Sequence, residues 1–286
     1  MLTLVPWILG AAGSVALLAW LGGVRYIPHS RVGIIEKLWS GRGSLLEGRI
    51  VAAQGEAGFQ ADILRGGLHF GYFPWQYRIH RQPLVVIPEG RIGYVYARDG
   101  APLPPTQTLA KGSGSALFQD ASAFLRNGGQ RGRQRAILRE GVYALNLSLF
   151  VVITEDRIYT GPVSDTDKYA DWQRQLASQR GFTPVVVGAK RELKEDSADT
   201  ANPTDTIGIV TVHDGAPIDP GEIIAPEVRP KTNERDHQYF QDPETFLALG
   251  GRRGKQLQVL TDGTFFINRW FATVELVPKT LIPIGY

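Results

Sequence analysis

The apolar positions of the chain fall into two unlike patterns. Residues 4–24 form one run of 21 residues without a charge. At 1.5 Å per residue such a helix is about 30 Å long, the thickness of a bilayer core. The run therefore predicts a transmembrane helix, with Trp7 and Trp20 near its ends, where amphipathic rings favour an interface. A cleaved signal peptide is the rival reading. Against it, no Lys or Arg precedes the run, which also exceeds the roughly 7–15 residues of a signal-peptide core.

Beyond this run the apolar residues come in short bursts between glycines and prolines, the pattern of strands joined by tight turns. Tyr94-Val95-Tyr96 and Ile209-Val210, with Val212, read as buried strands. Each stops at Asp-Gly-Ala-Pro, at Asp99 and at Asp214, because Asp-Gly supplies a turn and proline blocks continuation. A short helix is predicted next. Asp120 and Asp242 are placed to N-cap it, Pro243 suits its first position, and Gly128 or Gly250 closes it. Ile137-Leu138 and Val259-Leu260 begin further strands, and Asn146 and Asn268 precede long apolar strands at 147–153 and 270–277. A helix at 165–180 opens on the capping box of Ser164 to Asp167 and sets Tyr169, Trp172 and Leu176 on one face. The charged stretch 190–206 predicts a mobile linker.

These elements repeat. Residues 118–146 and 240–268 align without a gap at an offset of 240 − 118 = 122. They share Phe-Gln-Asp, Phe-Leu, Gly-Gly, Arg-Gly, Gln, Leu, Gly and the closing Asn. Upstream, Pro88 with Ile92-Gly93 matches Pro203 with Ile207-Gly208, and Pro28 with Val32-Gly33 opens an earlier copy. That copy also carries Gly58, Gln60, Ile63-Leu64 and Gly67, matching Gly254, Gln256, Val259-Leu260 and Gly263. Fixed self-similarity implies one folding unit used several times. The expected division is an anchor at 1–26, modules at 27–86, 87–202 and 203–281, and a fourth module starting at 282–286, so that the protein continues beyond Tyr286. The expected fold class is α+β: a transmembrane helix followed by tandem, small, β-rich modules.

Composition narrows the function. A hydrophobic content of 43% supports real cores, and a net charge of +3 gives no reason to expect a nucleic-acid partner. The absence of cysteine excludes disulfides and thiol chemistry. The five histidines show no HExxH or HxxxH pairing, Gly112-Ser113-Gly114-Ser115 lacks the spacing of a nucleophile elbow, and no Gly-Lys-Ser/Thr follows the glycines near 130. Asp165, Asp167 and Asp171 read as helix capping rather than a cation site. No catalytic, cofactor-binding or metal-ligating residue is assigned, no cofactor is expected, and the chain reads as a non-enzyme. Two patches carry binding chemistry. Phe70, Tyr72, Phe73, Trp75 and Tyr77 are candidate membrane contacts, with core strands as the plainer use of such residues. Arg131, Arg133 and Arg135 fall on one side of an extended segment and are candidates for anionic-lipid contact, a solvated edge being the plainer reading.

The Ile-Pro opening with (Val/Ile)-Gly, together with Gly-x-Gln-x-x-(Ile/Val)-Leu-x-x-Gly, resembles the SPFH or Band 7 superfamily, in its bacterial flotillin-like branch. A preceding apolar span fits the same family; its long coiled coil is missing here, and tandem modules depart from its simplest pattern. The resemblance implies a membrane-anchored oligomeric scaffold that organises membrane microdomains. It implies a lipid bilayer, copies of the same chain in a ring or cage, and membrane-protein clients as partners. A regulatory cage around a membrane protease, or a tether for a further domain, is the alternative. Arg25, Arg31, Lys37 and Arg42 follow the span. By the positive-inside rule they predict a single-pass protein of a bacterial inner membrane with its bulk in the cytoplasm.

Overall fold

The computed structural model describes residues 13–14, 17–18, 20–112, 116–162, 167–188, 205–230 and 235–280. Three equivalent modules run through them. The first holds β1 (Arg25–Ile27), β2 (Arg31–Lys37), β3 (Val51–Ala52), β4 (Gly58–Leu64), β5 (Gly67–His69) and β6 (Tyr77–Pro83). The second holds β7 (Val85–Ile87), β8 (Gly93–Ala97), helix α1 (Ala121–Arg126), β9 (Gly132–Leu138), β10 (Gly141–Tyr143), β11 (Phe150–Ile153) and β12 (Ile158–Tyr159), followed by α2 (Asp167–Ser178). The third holds β13 (Val185–Val187), β14 (Thr206–Val212), α3 (Pro243–Ala248), β15 (Gly254–Lys255), β16 (Gly263–Phe265) and β17 (Ala272–Pro278).

Each module is an antiparallel sheet around its central strand, in the orders β4-β2-β6, β9-β8-β11 and β15-β14-β17. The register is the same three times. Gly33 lies opposite Leu64, Gly93 opposite Leu138, and Gly208 opposite Leu260; at the far end Lys37, Ala97 and Val212 face Gly58, Gly132 and Gly254. A small hairpin-like pair completes each module: β1 with β5, β7 with β10, and β13 with β16. Its apolar strand supplies Ile27, Ile87 or Val187 to the core, so each sheet is covered on one side by its own chain.

The short helices form where the sequence pattern puts them. Asp120 accepts from Ala123 N at 2.7 Å and Asp242 from Thr245 N at 3.1 Å, each satisfying an orphan donor of the first turn. Phe118 and Phe240, two residues before the caps, take left-handed backbone angles of 65° and 67° and bury their rings. Burial of an aromatic ring offsets that local strain. Phe124 packs edge-on against Phe150 at 5.0 Å, and Phe246 packs against Phe271 at 5.7 Å. No helix lies between β2 and β4 in the first module.

The core does not respect module boundaries. One cluster joins Ile34, Val51 and Ala61 of the first module to Phe118, Phe124 and Phe150 of the second. Another joins Ile92, Tyr94 and Val151 of the second to Phe246, Trp270 and Phe271 of the third, with Tyr169 and Leu176 of α2 and the half-buried Trp172 filling the side. α1 packs on β4 and α3 on β9, so each helix covers a strand of the preceding module.

Several expectations change. The architecture is β-rich, with short or mid-length α-helices after the first strand, and among the described residues no helix is long and apolar enough to cross a membrane. This corrects the expected transmembrane helix and, with it, the single-pass inner-membrane localisation. Much of the expected span, residues 4–12, 15, 16 and 19, lies outside the described residues. The described helical turn ends at Gly22-Gly23, where Gly22 N bonds to Leu18 O and Gly23 O accepts from Tyr72 N, turning the chain into β1. The strands expected from 147 and 270 begin at Phe150 and Ala272, because Asn146 and Asn268 first make a turn. β13 lies within the stretch divided off as the second module, but pairs with β16 of the third. Residues 164–166 of the capping box and 190–204 of the charged linker lie outside the described residues, and Thr206 already belongs to β14.

The Gly-Gly pair after each helix makes a packing prediction. A Cβ on Gly129 would lie 2.6 Å from the ring of Phe124, which is itself wedged against Phe118 and Phe150. Gly129→Ala is expected to cost about 1–3 kcal/mol through overpacking. Gly41→Ala, where the Cβ meets open space, stays within about 0.5 kcal/mol of wild type. Urea denaturation of both variants checks the contrast.

Candidate functional site

The residues shared among the modules converge on the places where one module meets the next. Gly58-Phe59-Gln60, Gly132-Arg133-Gln134 and Gly254-Lys255-Gln256 adopt the same local shape. Each glycine has positive φ, 128°, 129° and 118°, a region costly for any other residue. The bend brings two carbonyls onto the glutamine amide. Gln60 Nε2 donates to Glu56 O and Gly58 O, Gln134 Nε2 to Gln130 O and Gly132 O, and Gln256 Nε2 to Arg252 O and Gly254 O, all within 2.8–3.1 Å. A passing segment runs parallel beside it, with Ala52, Ala110 and Ala225 opposite the three glutamines.

An asparagine of the next module docks onto this edge. Asn146 Nδ2 donates to Gln60 O and Ala61 O, both at 2.8 Å. Asn268 Nδ2 donates to Gln134 O at 3.0 Å and Arg135 O at 2.8 Å. The same side chains hold their own turns, Asn146 Oδ1 accepting from Ser148 N and Asn268 Oδ1 from Trp270 N. Both asparagines are buried and fully paired, as a buried amide must be.

The aspartate of Asp-Gly-Ala-Pro makes the second part of the joint. Asp99 Oδ2 accepts from Ile50 N at 2.8 Å and Val51 N at 3.0 Å, on the passing segment of the first module. Asp214 Oδ1 accepts from Thr108 N at 3.1 Å and Thr108 Oγ1 at 2.9 Å, on the corresponding segment of the second. Both carboxylates are buried, and charge-assisted bonds of this kind are the strong ones.

Each junction then adds its own pairing. In the first, Ser122 Oγ donates to Asp62 Oδ1 at 2.7 Å. In the second, Arg135 bridges Asp214 at 2.9 Å and Glu244 at 3.2 Å. Arg133 lies over the rings of Trp172 and Trp270, at 5.7 and 5.6 Å, where burial lowers its pKa. Tyr94 donates to Gly181 O at 2.7 Å and accepts from Arg269 N at 3.3 Å, its ring 4.9 Å from Trp270. Burial raises the pKa of its hydroxyl well above the ordinary tyrosine value. Matching clefts remain beside the joints. One of about 340 Å³ is lined by Asp62, Arg65, Asp120 and Asn146, and one of about 300 Å³ by Ile137, Arg139, Asp242 and Glu244.

The sequence-named arginines therefore separate. Arg131 is exposed, Arg133 is half-buried on aromatic faces, and Arg135 is taken up by two carboxylates, so no open basic stripe exists. In the aromatic patch Phe70 and Trp75 are exposed. Phe73 stacks on Trp75 at 5.0 Å, and Tyr72 and Tyr77 pack on each other at 5.4 Å over the Ile27 core. His237 is a packed residue whose Nδ1 accepts from Phe240 N. Among the described residues no three His, Asp or Glu side chains gather as a metal site would require. The sequence marked the asparagines, aspartates and glutamines only as repeats and turn formers. The partners of the asparagines and aspartates across the joints lie 48 to 134 residues away, and only recurrence at equivalent positions signals a common role. No family model, curated protein or solved structure matches the chain.

Two measurements test the joints. Asn268→Ala leaves two carbonyls and the Trp270 N–H without partners and is expected to cost about 2–4 kcal/mol in urea unfolding. Tyr94 has a folded pKa above its unfolded value of about 10, so the stability it contributes is present below pH 10 and is lost as pH rises above it. Tyr94→Phe is expected to flatten that alkaline decline in melting temperature.

Proposed function

We propose that the chain is a non-enzymatic scaffold of SPFH-like modules, of the flotillin or Band 7 kind, which assembles with copies of itself and holds client proteins in fixed register. The observation that carries this reading is the junction made twice with the same parts: a Gly-x-Gln edge on one module, and an asparagine and a buried aspartate on the next. The polar groups at these joints are engaged in holding modules together, which is the chemistry of assembly rather than of turnover. Neighbouring modules share their buried cores, as stacked repeats do. The reading carries no membrane-spanning anchor.

The purified 286-residue protein is expected to form regular homo-oligomers. Light scattering after size-exclusion chromatography, with negative-stain electron microscopy, reads the mass and shape. A monomer throughout a range of about 1–100 µM overturns the proposal.

A further inference from the structure

Modules 1 and 2 each offer one face to the module that follows, and in module 3 that face is bare. The positions correspond through the register of Ala52, Ala110 and Ala225 with the three glutamines. One and two residues before these alanines stand Val51 and Ile50, Leu109 and Thr108, and Ile224 and Ile223. One residue after the glutamines stand Ala61, Arg135 and Leu257. Val51, Leu109 and Ala61 are buried, and Arg135 is nearly so. Their counterparts Ile224 and Leu257 are 48% and 61% exposed, and beside them Ile223, at the place of the half-buried Ile50 and the exposed Thr108, is 87% exposed. The carbonyls of Gln256 and Leu257, where an asparagine would dock, have no partner among the described residues.

The complementary face is bare on module 1. Trp39 follows β2 by two residues, as Asp99 follows β8 and Asp214 follows β14. Phe73 accepts from Gln76 N and Tyr77 N just as Asn146 accepts from Leu149 N and Phe150 N, and Asn268 from Phe271 N and Ala272 N. The docking aspartate and asparagine are thus replaced by two aromatics. Trp39 is 55% exposed and held by a bond from Nε1 to Trp75 O, while Phe73 stacks on Trp75. Gly23 O accepts from Tyr72 N, which brings the exposed Trp20 and Leu21 to this same end.

The second junction joins a charged face to a charged face, Arg135 to Asp214 and Glu244. The two free ends are instead both apolar at the corresponding positions. We propose that the bare face of module 3 receives module 1 of a second copy of this chain, Trp39 resting on Ile223 and Ile224, and Phe73 on Leu257. Aromatic anchors on an aliphatic patch are the kind of contact that dominates interface energy. The contact is heterologous, so repetition closes a ring or extends a filament. It specifies how the scaffold proposed above assembles and rests on that reading.

The natural chain has no cysteine, which makes cross-linking clean. Trp39→Cys protein mixed with Ile223→Cys protein is expected to give a disulfide-linked pair under mild oxidation, because the corresponding inner contact, Asp99 to Ile50 N, is only 2.8 Å. Ile224→Asp and Leu257→Asp, both at exposed sites that leave the fold intact by circular dichroism, are expected to raise the concentration needed for assembly by about tenfold or more. Cross-linking of Ile223→Cys protein with itself, or oligomers that withstand both aspartate substitutions, overturns the head-to-tail contact and leaves the scaffold reading standing. A wild-type protein that is only monomeric removes both.

Discussion

The structure depends on one hydrogen-bonding arrangement made twice, in which an asparagine amide of the second or third module reaches two backbone carbonyls of the module before it. A sheet of three or four strands, none longer than seven residues, is too small to bury its own surface. The outer strand of each sheet would present unpaired carbonyls to water or to a neighbour. In this chain the neighbour is the following module, and the asparagine fixes its distance and rotation at once. Phe124 and Phe246 then enter a core that already has one wall.

The Gly-x-Gln motif prepares that edge. A positive φ at glycine bends the strand, and the glutamine amide ties the bend from inside by taking the carbonyls of Gly58, Gly132 or Gly254. The carbonyls left over are those of the glutamine and the residue after it, and in two of three modules they meet an asparagine. Duplication therefore preserves a pair of matching surfaces.

Much of this was legible in the chain and some was not. The helix caps at Asp120 and Asp242 follow from local spacing, because their partners lie within a turn, and Phe124 and Phe246 are the apolar residues of those short helices. The roles of Asp99, Asp214, Asn146 and Asn268 do not, since turn formation alone accounts for such residues in a sequence. Arg131, Arg133 and Arg135 looked alike for the same reason. Alternation predicts a shared side, but not that Asp214 and Glu244 arrive from more than 70 residues away to neutralise one of them. The apolar run at the amino terminus gave a length that fits a bilayer, whereas the turn at Gly22-Gly23 and the bond from Tyr72 N to Gly23 O are set by module 1.

The two junctions share a frame but differ in charge, and the difference sets their order. Glu244 of the third module occupies the place of Ser122 in the second, two residues after the capping aspartate. Ser122 faces Asp62, while Glu244 faces Arg135. Seating the third module directly on the first would bring Glu244 towards Asp62, acid against acid, and would strip Asp214 of its arginine, since Ala61 stands where Arg135 does. The like-charge contact disfavours that arrangement. The shared asparagine and glutamine would let the second or third module join any module before it; the variable residues around them decide which two do, so that one repeated joint builds a stack with a single order.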